Sequence, residues 1–300
     1  MLTQTREHLE YHRRWTRRFA EHDVLNVFEK AERDLTSAGL AGLQGKRVLD
    51  IGCGPRFALA LQCAARGARV TALDTKYVRP DFLPVYAWRT LVHDGLSGVL
   101  KATLRRTLFD RTYYAALERA SGKRLRHLAD ELEFVAADGE ESRYALPSDS
   151  FDLITAIAVL EHVPDIPALA EEISRLLVPG GVFYAIIHNY YSLSGGHNPE
   201  WAYPADTPSR RVPPWDHLRQ RQYPASVYLN KQRPDEYLSA FKEHLDVLVF
   251  EGRGADHDVG GLEGEHLLND ELRTELDGHP RELLLTRGWC LICRRGRHAA

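Results

Sequence analysis

The run Val48-Leu49-Asp50-Ile51-Gly52-Cys53-Gly54, followed after a helix-length interval by Val70-Thr71-Ala72-Leu73-Asp74, constrains this chain more than any other feature. An apolar stretch that breaks at a glycine-rich turn, then a helix, then a second apolar stretch ending in a carboxylate describes half of a nucleotide-binding βαβ unit. Glycines at the turn let backbone approach a ligand, and an acid closing the second strand accepts hydrogen bonds from both ribose hydroxyls. The pattern predicts an α/β fold and an adenosine-containing cofactor.

A dinucleotide site asks for Gly-x-Gly-x-x-Gly at a helix N-terminus that holds a pyrophosphate. Here Gly54 is followed by Pro55, Arg56, Phe57 and Ala58, so the third glycine is missing and NAD is disfavoured. The segment instead resembles the first motif of the class I S-adenosylmethionine-dependent methyltransferases. Asp50, Gly52 and Gly54 fall in the acidic-x-Gly-x-Gly places and Asp74 in the ribose-binding place. Two later segments carry the resemblance further. Phe151-Asp152-Leu153-Ile154 through Val159-Leu160-Glu161-His162-Val163 is similar to the family's fourth strand and following turn, and Leu176-Leu177-Val178-Pro179-Gly180-Gly181-Val182-Phe183 to its "LxPGG" approach to the fifth. The resemblance spans residues 46 to 187. It implies a doubly wound, seven-stranded, mostly parallel sheet with helices on both faces, S-adenosylmethionine as cofactor and S-adenosylhomocysteine as product.

It also implies a cofactor set: Asp50, Gly52, Cys53 and Gly54 at the methionine half, Asp74 at the ribose, Asp138 at the adenine amino group, and Ala156 at the end of the fourth strand. Asp138 has a second reading, as a turn-forming aspartate. Arg56 stands where the family usually has glycine, and a cation at a helix N-terminus opposes the helix dipole. Pairing with the cofactor's carboxylate and an outward, solvated position both remain open for it.

Along the chain, residues 5 to 36 read as a helix, with Tyr11, Trp15 and Phe19 on one face and Arg13, Arg14, Arg17 and Arg18 elsewhere. Residues 1–45 are expected to form a helical lid. Residues 46–300 are expected to form the sheet domain: strands at 47–51, 70–74 and 133–137, a helix at 56–66, a helix at 234–244, and closing strands at 245–251 and 287–294. Two stretches exceed what the fold needs. The interval 75–132 is helical in pattern and rich in aromatics, including Tyr86, Trp88, Tyr113 and Tyr114, and reads as an inserted lid or substrate wall. The interval 188–232 is polar, aromatic and proline-rich. Its Tyr190, Tyr191, Trp215 and Tyr223 shape a substrate pocket or pack locally.

Composition narrows the class. A formal charge of -3 gives no general attraction to nucleic acid, and no apolar run reaches the roughly twenty residues of a membrane span. No signal-peptide pattern is seen, so a cytoplasmic location is expected, and the excess of arginine over lysine suggests a GC-rich bacterial genome. Four cysteines are too scattered for a disulfide framework, and Cys290-x-x-Cys293 lacks a second pair with ligand spacing, so no metal is expected.

Methyl transfer from a sulfonium is a displacement on carbon that needs an aligned nucleophile, a dry site and, for a hydroxyl or ammonium acceptor, somewhere for a proton to go. His162, after the fourth strand, and His188, after the fifth, are the candidate bases. Glu-His-Val occurs in relatives that methylate oxygen, nitrogen and carbon, so a structural role for His162 stays open. The Asn/Asp-Pro-Pro-aromatic turn of base-amine methylases is replaced by Ala158-Val159-Leu160-Glu161-His162, and Ile157, Ala158 and Val159 offer no metal ligands. What remains is a small or mid-sized organic or peptide acceptor, in bacterial secondary metabolism or glycan tailoring by analogy, with a homodimer left open. The competing reading is a protein that binds the cofactor without transferring methyl, as a cyclase or cofactor sensor.

Overall fold

The computed structural model describes residues 16–75, 83–125, 127–128, 132–137, 143–202, 209–225 and 227–296. Its frame is one seven-stranded sheet in the order β3-β2-β1-β4-β5-β7-β6. The strands are β1 Arg47–Ile51, β2 Arg69–Asp74, β3 Glu133–Ala136, β4 Phe151–Ile157, β5 Leu177–His188, β6 Asp246–Arg253 and β7 Gly288–Arg294. β1 pairs in parallel with β2 and β4, and β2 with β3, while β6 and β7 form an antiparallel pair. The strand order reverses between β1 and β4, which by right-handed crossovers puts helices on both faces and opens a ligand crevice beyond the strands' carboxyl ends. The sheet expected from the sequence is therefore present, and its strand bounds agree within a few residues.

Central parallel strands are covered on both faces, and so read as continuous apolar runs. Val48, Leu49 and Ile51 of β1, Leu153, Ile154 and Ala156 of β4, and Phe183 to Ile187 of β5 are all buried. The chain divides into two compact units, Met1–Ala156 with Arg175–Val182, and Ile157–Ser174 with Phe183–Ala300.

In the first unit, α1 (16–22) continues through a π-helical turn, Asp23–Phe28, into α2 (Glu29–Ser37). Tyr11 and Trp15 lie outside the described residues. α3 spans Ala58–Ala64, shorter than the expected 56–66, because Phe57 takes a left-handed conformation (φ 53°) and delays the first helical turn. The interval after β2 is helical as expected: α4 (Leu83–Arg105), interrupted at Gly95, and α5 (Arg111–Ser121).

In the second unit α6 (Ile166–Leu176) leads towards β5, and α7 (Pro234–Lys242) precedes β6. The 188–232 interval has little regular structure, but is pinned by a small core. Leu193, Trp201, Val212 and Trp215 pack with Leu268, Leu272 and Leu276 around α8 (Asp270–Glu275) and with Leu284 and Leu285 of α9 (Arg281–Leu285). The 254–287 interval between β6 and β7, which carries α8 and α9, had no sequence signal that set it apart. No described helix is long and apolar enough to cross a membrane.

Candidate functional site

The glycine turn sits where β1 ends. Gly52 (φ 67°) and Gly54 (φ 63°) both take left-handed backbone, and the amides of Gly52 and Cys53 donate to the Leu73 carbonyl of β2. The turn is thus bonded to the neighbouring strand, and the Gly54 amide donates to Asp74 Oδ2 at 3.0 Å. A Cβ placed on Gly54 would meet nothing within 4 Å, so the space above the turn is open.

Asp50 lies one strand from Asp74, in register with Thr155 of β4. Its Oδ1 accepts the Thr155 hydroxyl at 2.8 Å, whereas its Oδ2 is buried and has no hydrogen-bond partner among the described residues. Burial pushes the Asp50 pKa up to about 7; the Thr155 hydroxyl and Ala60 amide oppose that, and the Asp74 charge adds to it. A buried carboxylate oxygen without a donor, beside an open glycine turn, suits a ligand that brings its own cationic donor. Ala156, opposite Ile51, is fully buried. Cys53 is not a reactive thiol: burial, then the Asp50 and Asp74 charges, push its pKa far up. Asp138 lies outside the described residues.

Arg56 is neither solvated nor free. Its Nε sits 3.2 Å from Asp110 Oδ1, both side chains are mostly buried, and its guanidinium lies 4.3 Å over the Tyr113 ring. Tyr113 in turn donates its hydroxyl to Asp23, and Tyr114 donates to the Arg56 carbonyl at 3.1 Å. The N-terminal helix and the α4–α5 insertion are thereby tied to the loop that follows the glycine turn.

In the second unit, the ends of β4 and β5 carry a cluster of imidazoles around a carboxylate. Glu161 lies in a single 3-10 turn, Leu160–His162, which the Asn230 side chain clamps by donating to the Leu160 and Val163 carbonyls at 2.7 and 2.9 Å. The Glu161 side chain is buried, and neither carboxylate oxygen has a hydrogen-bond partner among the described residues. Nε2 of His162 and Nε2 of His197 each stand 3.9 Å from its Oε1. Burial drives its pKa up to about 8, against the pull of the Glu161 and His188 backbone amides. His188, the last residue of β5, packs its ring 4.7 Å from that of His197, which lies 4.9 Å from that of His162.

Burial holds the His188 pKa well below 6.5 and brings His197 to about 4, with neighbouring imidazoles and Arg287 adding to both shifts. The two candidate bases are therefore brought into one group by a third histidine. Single ligand atoms of Glu161, His188 and His197 all lie within 4.8 Å of one another.

A family profile described as a methyltransferase domain matches residues 13–222. The chain belongs to the methyltransferase-domain family. Its domain is of the class I, S-adenosylmethionine-dependent kind. Two relatives, both named ubiquinone biosynthesis O-methyltransferase, come from Aromatoleum aromaticum (33% identical over 153 residues, 50% of this chain and 48% of that protein) and Aeromonas salmonicida (30% over 176 residues, 58% and 57%). The chain spans about half the length of the curated relatives it matches. A crystal structure of an S-adenosylmethionine-dependent methyltransferase from Mesorhizobium loti is 19% identical, with a TM-score of 0.47, covering 88% of this chain and 98% of that one.

Within the methyltransferase domain, Gly52, Cys53 and Gly54 form one turn after β1 that Asp74 joins through the Gly54 amide, while Asp50 lies on the strand that leads into it. Trp215 is completely buried in the small core, so its role is packing, while Tyr190 and Tyr191 are only partly buried and donate their hydroxyls to the His217 and Lys231 carbonyls. Cys290 and Cys293 are buried on β7, and residues three apart on a strand project to opposite faces, so they do not chelate together. The sequence did not single out Glu161 or His197, nor Ser194, whose oxygen lies 2.9 Å from His188 Nε2, and Glu263, which accepts the Ser194 hydroxyl. The available signal was Gly195-Gly196-His197: a Cβ on Gly195 would fall 2.1 Å from the Tyr190 carbonyl oxygen, which marks a chain folded tightly back to present the histidine.

Proposed function

We propose that the chain transfers the methyl group of S-adenosylmethionine to a hydroxyl of a small or mid-sized organic acceptor. The observation that carries this reading is the unpartnered, buried Oδ2 of Asp50 beside the open turn at Gly54. Asp50 would hold the cationic amino end of the cofactor and Asp74 its ribose, with Gly52, Cys53 and Gly54 supplying backbone and Ala156 a wall; Asp138 is assigned to the adenine on the family resemblance. Bound there, the cofactor supplies an electrophilic methyl on a sulfonium.

A hydroxyl acceptor is supported by the relatives named O-methyltransferases. It is supported also by the histidine group at the ends of β4 and β5, where His162 and His188 are the residues proposed to take or steer the acceptor's proton. Residues 1–45, with the 75–132 and 188–232 insertions, are proposed as cover and acceptor wall; the Asp23–Tyr113–Arg56 chain supports this for the first two. A cytoplasmic, bacterial setting belongs to the same proposal. Secondary metabolism or glycan tailoring is the setting we favour.

Calorimetric titration with S-adenosylmethionine and NAD in parallel, followed by a screen for S-adenosylhomocysteine release with hydroxylated acceptors, tests the reading. Binding of the first alone and acceptor-dependent release are the expected results. Binding without release from any acceptor would favour the cofactor-sensing alternative.

A further inference from the structure

We propose that Glu161, His188 and His197 form a binding site for a divalent transition-metal ion of the zinc type, whose open coordination positions take the acceptor's hydroxyl oxygen. The second half of this rests on the methyl-transfer reading above; the first does not.

The argument starts from Glu161. A carboxylate with 1% of its surface exposed, drawn on only by the Glu161 and His188 backbone amides and hydrogen-bonded at neither oxygen to a described residue, is costly to keep charged. Protonation would not resolve it, since the proton would need an acceptor and Nε2 of His162 and His197 stand too far off, at 3.9 Å. That separation suits a shared ion. Ligand atoms of a tetrahedral ion with bonds of about 2.1 Å lie roughly 3.4 Å apart, so the Glu161–His197 pair at 3.9 Å closes by about half an ångström of side-chain rotation and the other pairs, all within 4.8 Å, by at most about 1.4 Å.

The hydrogen bonds around His188 set its tautomer. Ser194 donates its hydroxyl to Glu263 at 2.7 Å, and Glu263 is itself paired with Arg287. The Ser194 oxygen is then an acceptor for His188 Nε2–H at 2.9 Å, which leaves the bare lone pair on Nδ1. A ligating histidine whose other nitrogen is held by a carboxylate-anchored partner is the usual outer arrangement of a metal site. Strain points to the same place. Ala158, just past β4, and His197 both take left-handed backbone (φ 53° each), a conformation that costs a residue with a Cβ and persists where the surroundings require it.

Two imidazoles and one carboxylate select zinc-like ions over magnesium or calcium, which prefer all-oxygen shells. Three protein ligands leave at least one position open. An acceptor hydroxyl bound there would lose its proton more readily, to Nε2 of His162, whose Nδ1 is held by the Tyr228 carbonyl at 2.8 Å, while His188 steers the oxygen as a ligand. Its oxygen lone pair forms the new O–C bond to the methyl as the S–C bond breaks with its electron pair moving to sulfur, which leaves neutral S-adenosylhomocysteine.

The test uses the full chain stripped with a chelator and titrated with Co²⁺ and Zn²⁺. The expected result is one equivalent of each, with visible d–d absorption for cobalt. Affinity should fall more than tenfold in Glu161→Gln and His197→Ala, and about tenfold or more in Ser194→Ala, which keeps all three ligands. Retained S-adenosylmethionine binding in the same variants shows that they are folded. No saturable cobalt binding, or binding undiminished in all three variants, overturns the site. A bound, variant-sensitive metal whose removal leaves methyl transfer unchanged overturns the acceptor role. Metal binding as expected with no S-adenosylmethionine binding leaves the metal site standing and sinks the methyl-transfer reading instead.

Discussion

Two carboxylates on adjacent strands divide the work at the cofactor turn, and a single substitution at each position separates their roles. Asp74 already accepts the Gly54 amide, so it is prepaid in orientation before any ribose arrives. Asp74→Ala is expected to weaken S-adenosylmethionine binding by about 1.5–3 kcal/mol, the range for a lost charged hydrogen bond, as read by calorimetry; unchanged affinity would remove Asp74 from the site. Gly54→Ala makes a different demand. The left-handed backbone costs a residue with a Cβ roughly 1–2 kcal/mol of stability, but the new methyl meets no atom of the described residues within 4 Å beyond its chain neighbours. A loss of cofactor affinity well beyond that modest loss of folding free energy, measured by urea denaturation beside calorimetry, is the expected outcome. Equal or smaller loss of affinity would mean that the space above the turn is not where the cofactor lies.

At the scale of elements, the loop after the glycine turn, the N-terminal helix and the α4–α5 insertion are held through one aromatic hub. Tyr113 is buried, its hydroxyl engaged by Asp23 and its ring covered by Arg56; burial and the Asp23 charge push its pKa well above 10. Tyr113→Phe leaves the Asp23 carboxylate without that donor and should lower stability by about 1–3 kcal/mol, with a smaller midpoint of urea unfolding at an unchanged slope. A change within error would show that the helix is held by its apolar face alone. Asn230→Ala should cost a similar amount, since two backbone carbonyls of the Glu161 turn lose their donor.

The difference between these elements and the sheet explains what could be read in advance. Strands β1, β2, β4 and β5 announce themselves because burial on both faces forces unbroken apolar runs, and the cofactor turn because its residues are neighbours in sequence. Arg56 was ambiguous because its partners, Asp110 and Tyr113, lie on an insertion whose packing has no local signature. Glu161, His188 and His197 were illegible as a group, since only the return of the chain through Ser194 and Gly195 brings them together. The partners that orient them, Glu263 and Arg287, flank a stretch between β6 and β7 that no motif distinguishes.

For the molecule as a whole, Asp50 couples folding, proton uptake and cofactor binding. In the fold its carboxyl titrates at about 7, chiefly through burial, against about 3.8 when exposed. Between these values the folded chain holds a proton that the unfolded chain has released. The Asp50 contribution to stability therefore falls as pH rises from about 4 to about 7 and is constant above. The groups that face it are Thr155 on β4, the Ala60 amide of α3 and the Asp74 charge on β2; only Asp74 among them carries charge, and it acts to raise the pKa.

Asp50→Asn, which keeps the shape and removes the titration, should flatten that part of the profile, as measured by urea unfolding at pH 5, 6 and 7. Cofactor binding runs the linkage in the opposite direction. A cationic donor at Oδ2 favours the ionised carboxylate, so binding near pH 6 should release up to about one proton, detected as a dependence of the calorimetric heat on buffer ionisation enthalpy, and affinity should rise with pH until about 7. The Asn variant should bind more weakly and lose both effects. Proton release that persists in Asp50→Asn would place the titrating group elsewhere, and a pH-independent affinity in the wild type would mean that the cofactor's cation does not meet Asp50.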